Sequence, residues 1–174
     1  MATTVSTRTL LPKKILVGLD GSTGSARALA WAIELAKALD GEIVAVHVVE
    51  LLTPSALGLG LAPIELPDDW VDDLRSRFEN EWSAPLKQSG VRYRTVFETG
   101  APAPALIAIA REEQPDLIVT GSRGLGGFGE LLLGSVSHQL VLHAKLPVVV
   151  VPPEHKKVGL TAQTSSELAS VAAP

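Results

Sequence analysis

The chain of 174 residues contains no cysteine, which excludes disulfides, thiolate metal ligands and cysteine nucleophiles together. This suits a reducing compartment, and a cytoplasmic location is expected. Charge of neither sign is concentrated. Fifteen Lys and Arg against nineteen Asp and Glu leave a formal net charge of -4 with the cations scattered, so nucleic acid is not an expected partner. No stretch reaches the roughly 20 continuous apolar residues of a bilayer span. Pro, Gly, Asp or Arg interrupts every candidate, so no membrane association is expected. Met1 to Lys14 holds only the short Leu10-Leu11 pair, followed by Lys13-Lys14, and no long apolar stretch, unlike a secretion signal. His, Asp and Glu form no cluster with ligand spacing, and no metal site built from side chains is expected.

What is present suffices for one ordinary domain, because 46% hydrophobic and 20% charged residues at this length can bury a proper core. Residues 1–12 read as a flexible arm. Residues 13–153 read as the folded domain, and 154–174, rich in Ser, Thr and Ala without apolar periodicity, as a disordered tail.

Within the domain, Lys14-Ile-Leu-Val-Gly-Leu is a short apolar run ending in Asp20-Gly21-Ser22, as a buried parallel strand reads. A helix is expected over Thr23 to Leu39, with Ala26, Leu29, Ala30, Ile33 and Ala36 inward and Asp40-Gly41 as its stop. Glu42 to Val49 is a second buried strand. Glu50 to Pro67 is Pro- and Gly-rich yet apolar, a lid or a partner surface. Val71, Leu74, Phe78 and Trp82 share one helical stripe, which Pro85 should end or kink. Arg92 to Glu98 alternates polar and apolar residues like a half-exposed outer strand, closed by Gly100. A helix opened by Pro102 and Pro104, with Leu106, Ile107 and Ala110 inward, closes near Gln114. A strand from Leu117 to Thr120, a helix from Ser135 to about Ala144 and a strand from Pro147 to Val151 complete the series. Five apolar runs alternating with four helical patterns predict an α/β fold, a five-stranded parallel sheet with helices on both faces.

The chemistry concentrates between the last two strands. Five glycines from Gly121 to Gly129 are too many for a packed element and suit a loop whose amides approach a ligand closely. The loop delivers Gly134-Ser135-Val136-Ser137 to a helix start, where unpaired N–H groups and the positive dipole end favour an anion, above all a phosphate. The bland alternative is that Ser135 caps the helix and the glycines make a turn.

The spacing Gly121, two residues, Gly124, nine residues, Gly134-Ser135, together with Asp20 at the end of the first strand, resembles the nucleotide-binding members of the universal stress protein family. The resemblance runs from about Lys13 to Val151. It implies strand order 3-2-1-4-5, an adenine nucleotide alpha hydrolase-like arrangement. The first and fourth strands then meet at the switch point, and a ligand lies beyond their carboxyl ends. It implies ATP as ligand, with magnesium on the phosphates, in a nucleotide-dependent sensor or regulator of the stress response. Asp20 would meet ribose or adenine, flanked by the backbone of Gly18 and Leu19. Val48 would touch the adenine ring. Gly121, Gly124, Gly134, Ser135, Val136 and Ser137 would hold phosphates and ribose, with Arg123 adding a charge-assisted bond. It implies a homodimer paired through the edge strand at 147–151, and at most slow ATP hydrolysis.

No catalytic residue is identified. His47 and His138 read as structural, because no third residue orients either as a base. Cyclic AMP is an alternative ligand, since the glycine pattern does not count phosphates, and a nucleotide-free interaction module is another alternative. Gly124-Leu-Gly126-Gly-Phe-Gly129 also spells a dinucleotide fingerprint for an NAD-binding enzyme. That reading places the fingerprint in the last strand-helix-strand unit, with too little chain after it to complete a dinucleotide fold. The Walker pattern fails for want of Gly-Lys-Ser or Gly-Lys-Thr. An AMP-transferring enzyme of the related hydrolase group is disfavoured by Asp20-Gly21-Ser22-Thr23-Gly24, where a Ser-Gly-Gly run is required.

Overall fold

The computed structural model describes residues 11–50, 69–125 and 133–154. Five strands, β1 (Lys14–Gly18), β2 (Glu42–Val49), β3 (Arg92–Thr99), β4 (Leu117–Gly121) and β5 (Val148–Val151), form one parallel sheet in the order 3-2-1-4-5. β1 pairs with β2 from Lys14 opposite Glu42 to Gly18 opposite Val46, and with β4 through Ile15 to Val17. The connections therefore change sides at β1 and β4, and a crevice opens beyond their carboxyl ends.

Side-chain alternation sends the two sets of strand residues to opposite faces. Ile15, Val17, Ile43, Ala45, Leu117 and Val119 pack under α1 (Thr23–Leu39), with Phe78 and Leu86 beside it. Leu16, Val44, Val46 and Ile118 pack under α4 (Pro102–Glu113) and Leu140 of α5 (Ser135–His143). The central strands are almost wholly apolar because helices cover both faces. β3, at the sheet edge, keeps its first four residues exposed, as its polar alternation requires.

α1 occupies its expected span, but its buried stripe is Ala28, Leu29, Ala32, Ile33 and Ala36, with Ala26 and Ala30 exposed. Alanine is so frequent in this helix that spacing leaves the centre of the inward face undefined by a residue or two. Asp40 itself takes the left-handed conformation at the C-cap, with φ of 49°. In α4 the inward set is Ala103, Leu106, Ile109 and Ala110, with Ile107 half-buried at its margin.

The expected single helix around Phe78 is three pieces: α2 (Trp70–Arg77), a π-helical turn (Phe78–Trp82) and α3 (Ala84–Ser89). The Ser83 amide reaches back five residues to the Phe78 carbonyl at 3.0 Å. Pro85 lies in the first turn of α3, where its missing N–H costs nothing. The widened turn buries Phe78 completely and brings Trp82 against Gly21, where an added Cβ would lie 2.6 Å from the indole.

Apart from Glu50, the expected lid or partner surface at 50–67 falls outside the described residues. So do the arm and the tail, except for Leu11, Pro12 and Glu154. Among the described residues no helix is long and apolar enough to cross a membrane.

Candidate functional site

A cleft of about 470 Å³ opens at the carboxyl ends of β2, β1 and β4, between the starts of α4 and α5. Every residue expected at the site lines it. Gly18, Leu19 and Asp20 come from the end of β1 and Val48 from β2. Gly121, Arg123 and Gly124 come from the end of β4, and Gly134, Ser135, Val136 and Ser137 from the start of α5. Sequence separations of a hundred residues are closed by the β1–β4 pairing.

Asp20 serves both readings of its position. Its Oδ1 accepts the Ser22 amide at 3.0 Å, closing the turn ahead of α1, and Ser22 Oγ in turn accepts the Ser25 amide at 3.1 Å as the helix cap. Its Oδ2 accepts the Leu125 amide at 3.2 Å, across 105 positions. The carboxylate is therefore a strut between the β1 turn and the glycine loop. This contact explains Gly124, where a Cβ would stand 2.3 Å from Oδ2. Beside it the backbones themselves touch: a Cβ on Gly121 would lie 2.6 Å from the Gly24 carbonyl carbon.

At the start of α5 the two serines have different roles. Gly134, not Ser135, is the N-cap, and no side chain caps this helix. The Gly134 amide donates to the Ser122 carbonyl at 2.7 Å. Ser137, 2% exposed, spends its hydroxyl on the Ser122 and Gly134 carbonyls at 3.2 and 3.0 Å. The exposed Ser135 hydroxyl has no partner among the described residues. The first-turn amides of a helix lack acceptors within it. Here they border the cleft together with Ser135, a ready anion site.

The opposite end is apolar. Val46 and Val48, two residues apart on one face of β2, stand with Pro102 and Leu106, one turn apart at the start of α4. The expected set omitted Val46, Glu50, Pro102, Leu106, Ser25, Thr120, Leu125 and Leu133, all of which line the cleft. Strand alternation from Val48 would have found Val46. Helical spacing from Pro102 would have found Leu106, but only with the strand order already known.

The described histidines, His47, His138 and His143, do not line the cleft. His47 is buried beyond the sheet among Phe78, Trp82 and Phe97, with its ring centre 4.9 Å from that of Trp82 in an edge-on contact. Its Nδ1 lies 2.7 Å from the Leu19 carbonyl, so the proton is on Nδ1. Burial pushes its pKa below the ordinary value, against smaller upward pulls from the Leu19 carbonyl and the Asp20 charge. Among the described residues no group of three or more His, Asp or Glu is placed to hold a metal ion.

The universal stress protein family model matches residues 12–152. Universal stress protein YxiE of Bacillus subtilis is 34% identical over 148 residues, covering 79% of this chain and 97% of that protein. The solved structure of hypothetical protein MJ0577 superposes with a TM-score of 0.70 at 26% identity, covering 83% of this chain and 99% of that one. A universal stress protein solved in complex with cyclic AMP superposes at 0.60 with 24% identity, covering 81% and 97%, and shares the fold.

Proposed function

The chain belongs to the universal stress protein family, and from that premise we propose that it binds ATP in the switch-point cleft and acts as a nucleotide-dependent regulator. The polarity of the cleft carries the proposal. One end offers the free amides of α5 and the Ser135 hydroxyl, as a chain of phosphates requires. The other end is walled by Val46, Val48, Pro102 and Leu106, as a flat heterocycle requires. Gly18, Leu19, Asp20, Gly121, Arg123, Gly124, Val136 and Ser137 line the span between and around them. No cluster of carboxylates is available among the described residues, so magnesium would be held by the nucleotide's own phosphates.

Regulation rather than turnover suits this site. Both oxygens of Asp20 are engaged by backbone amides, none of the described histidines lines the cleft, and Glu50 lies at the end away from the α5 amides, so no described group stands beside the phosphate end to activate water. ATP hydrolysis is at most slow. The same strut offers a signalling route, because a ligand beside Asp20 also sets the position of Leu125 and hence of the glycine loop. Cyclic AMP is the second reading, favoured by its presence in one protein of this fold.

The edge of the sheet supports a homodimer as part of this reading. Among the described residues β5 pairs on one side only, with β4, and an apolar strand edge invites a partner strand. Val141 and Leu142 of α5, 50% and 60% exposed, add apolar surface nearby.

Thermal unfolding with ATP and magnesium, cyclic AMP, NAD or no ligand tests the assignment. A ligand at 100 times its dissociation constant adds about 2.7 kcal/mol, or roughly 5 to 10 °C for a domain of this size. Gly134→Val should abolish the shift while the fold survives. Gly134 has an ordinary φ of -72°, and its Cβ position lies 3.4 Å from the Ser122 carbonyl, so the bulk is accommodated at the expense of the anion site. A shift with NAD alone would restore the dinucleotide reading, and no shift with any ligand would leave an interaction module.

A further inference from the structure

We infer that Glu50 reads the base: its carboxylate accepts a hydrogen bond from the exocyclic amino group of bound adenine. The inference rests on the nucleotide reading above and deepens it. Phosphate donors gather at β4 and α5, whereas β2 lies two strands away in the order 2-1-4. Two strand spacings are about 10 Å, a distance that ribose and base bridge together. The far end therefore receives the base.

Val46 and Val48 pack on the same side of the sheet as Leu106, and Glu50 lies two residues further along the same chain direction, lining the same cleft. The described residues that wall this end of the cleft are the apolar Val46, Val48, Pro102 and Leu106. Glu50 forms no hydrogen bond or ion pair with any described residue. The cleft's other carboxylate, Asp20, is held on both oxygens.

An ionised carboxylate only accepts, so whatever meets it must donate. The ring nitrogens of adenine are acceptors, and its amino group is the one donor the base presents. The same negative charge repels a phosphate and so disfavours a ligand bound in the reverse direction.

The test is a calorimetric titration of the full chain and of Glu50→Ala with ATP and with purine riboside 5′-triphosphate, which lacks only the amino group. Wild type should bind the amine-free ligand about tenfold more weakly, as loss of one charge-assisted bond at an open cleft implies. Glu50→Ala should bind both alike. Removing the charge also alters repulsion of the phosphates, but equally for both ligands, so that effect cancels in the comparison. A variant that keeps the wild-type preference, or a wild type with none, overturns the assignment. If wild type binds neither ligand, the nucleotide reading itself falls and the role of Glu50 falls with it. Glu50 is exposed and unpartnered, so an unchanged unfolding temperature of the unliganded variant verifies that the fold is intact.

Discussion

Asp20→Asn separates a strut from a ligand contact, because the substitution keeps the shape of the side chain and changes only what its two outer atoms can do. In the wild type both atoms accept, one from Ser22 and one from Leu125. Asparagine has one acceptor and one NH2 group, so in either orientation one backbone N–H faces another donor. Hydrogen bonds to charged groups are worth about 1.5 to 3 kcal/mol, and the partial exposure of this one places the loss near the lower end, about 1.5 kcal/mol. At roughly 2 to 4 °C per kcal/mol in a domain of this size, the unliganded protein should melt about 3 to 6 °C lower. Differential scanning calorimetry without nucleotide measures this, and amide exchange at Leu125 locates it, since that N–H should lose protection in the variant. An unliganded melting temperature within a degree of wild type, with nucleotide affinity reduced, would refute the strut and leave Asp20 as a ligand contact alone.

His47 should make stability depend on pH in a predictable direction. Burial holds its folded-state pKa below the ordinary 6.5, so the unfolded chain binds the proton more readily. The neutral ring's advantage is present above the unfolded value and is lost as pH falls through the folded one. The stability gap between wild type and His47→Phe, followed by thermal unfolding from neutral to acidic pH, should shrink on acidification; a gap that widens would contradict the assigned burial. For the edge strand, light scattering at tens of micromolar should return twice the chain mass of 18.3 kDa. Leu142→Lys, at an exposed position of α5, should shift the protein toward monomer without lowering the unfolding temperature of that monomer. A wild type that scatters as a monomer would remove β5 as an interface.

Much of this protein was determined by local sequence. Runs such as Ile15 to Val17, Val44 to Val46 and Leu117 to Val119 are apolar at consecutive positions, which only a strand covered on both faces tolerates, and their alternation with helical periods specifies a parallel sheet. Gly134-Ser135 before a helical pattern marks an anion site because free amides at a helix start follow from the backbone alone. Other features depend on which groups meet in space. The face of α1 was ambiguous because alanines occupy both the buried and exposed sides. The π-helical turn arises where Phe78 and Trp82 both reach the aromatic cluster around His47, a demand no spacing within the segment expresses. Ser135 and Ser137 look alike in sequence, yet only tertiary structure puts the Ser122 carbonyl beside one hydroxyl and open cleft beside the other. Likewise Asp20 reads locally as a turn residue, and the amide of Leu125 reaches it only because β1 and β4 are neighbours. Periodicity and backbone valence act between residues a few positions apart. The cleft, its strut and its unpartnered carboxylate at Glu50 depend on strand order, which joins segments a hundred residues apart.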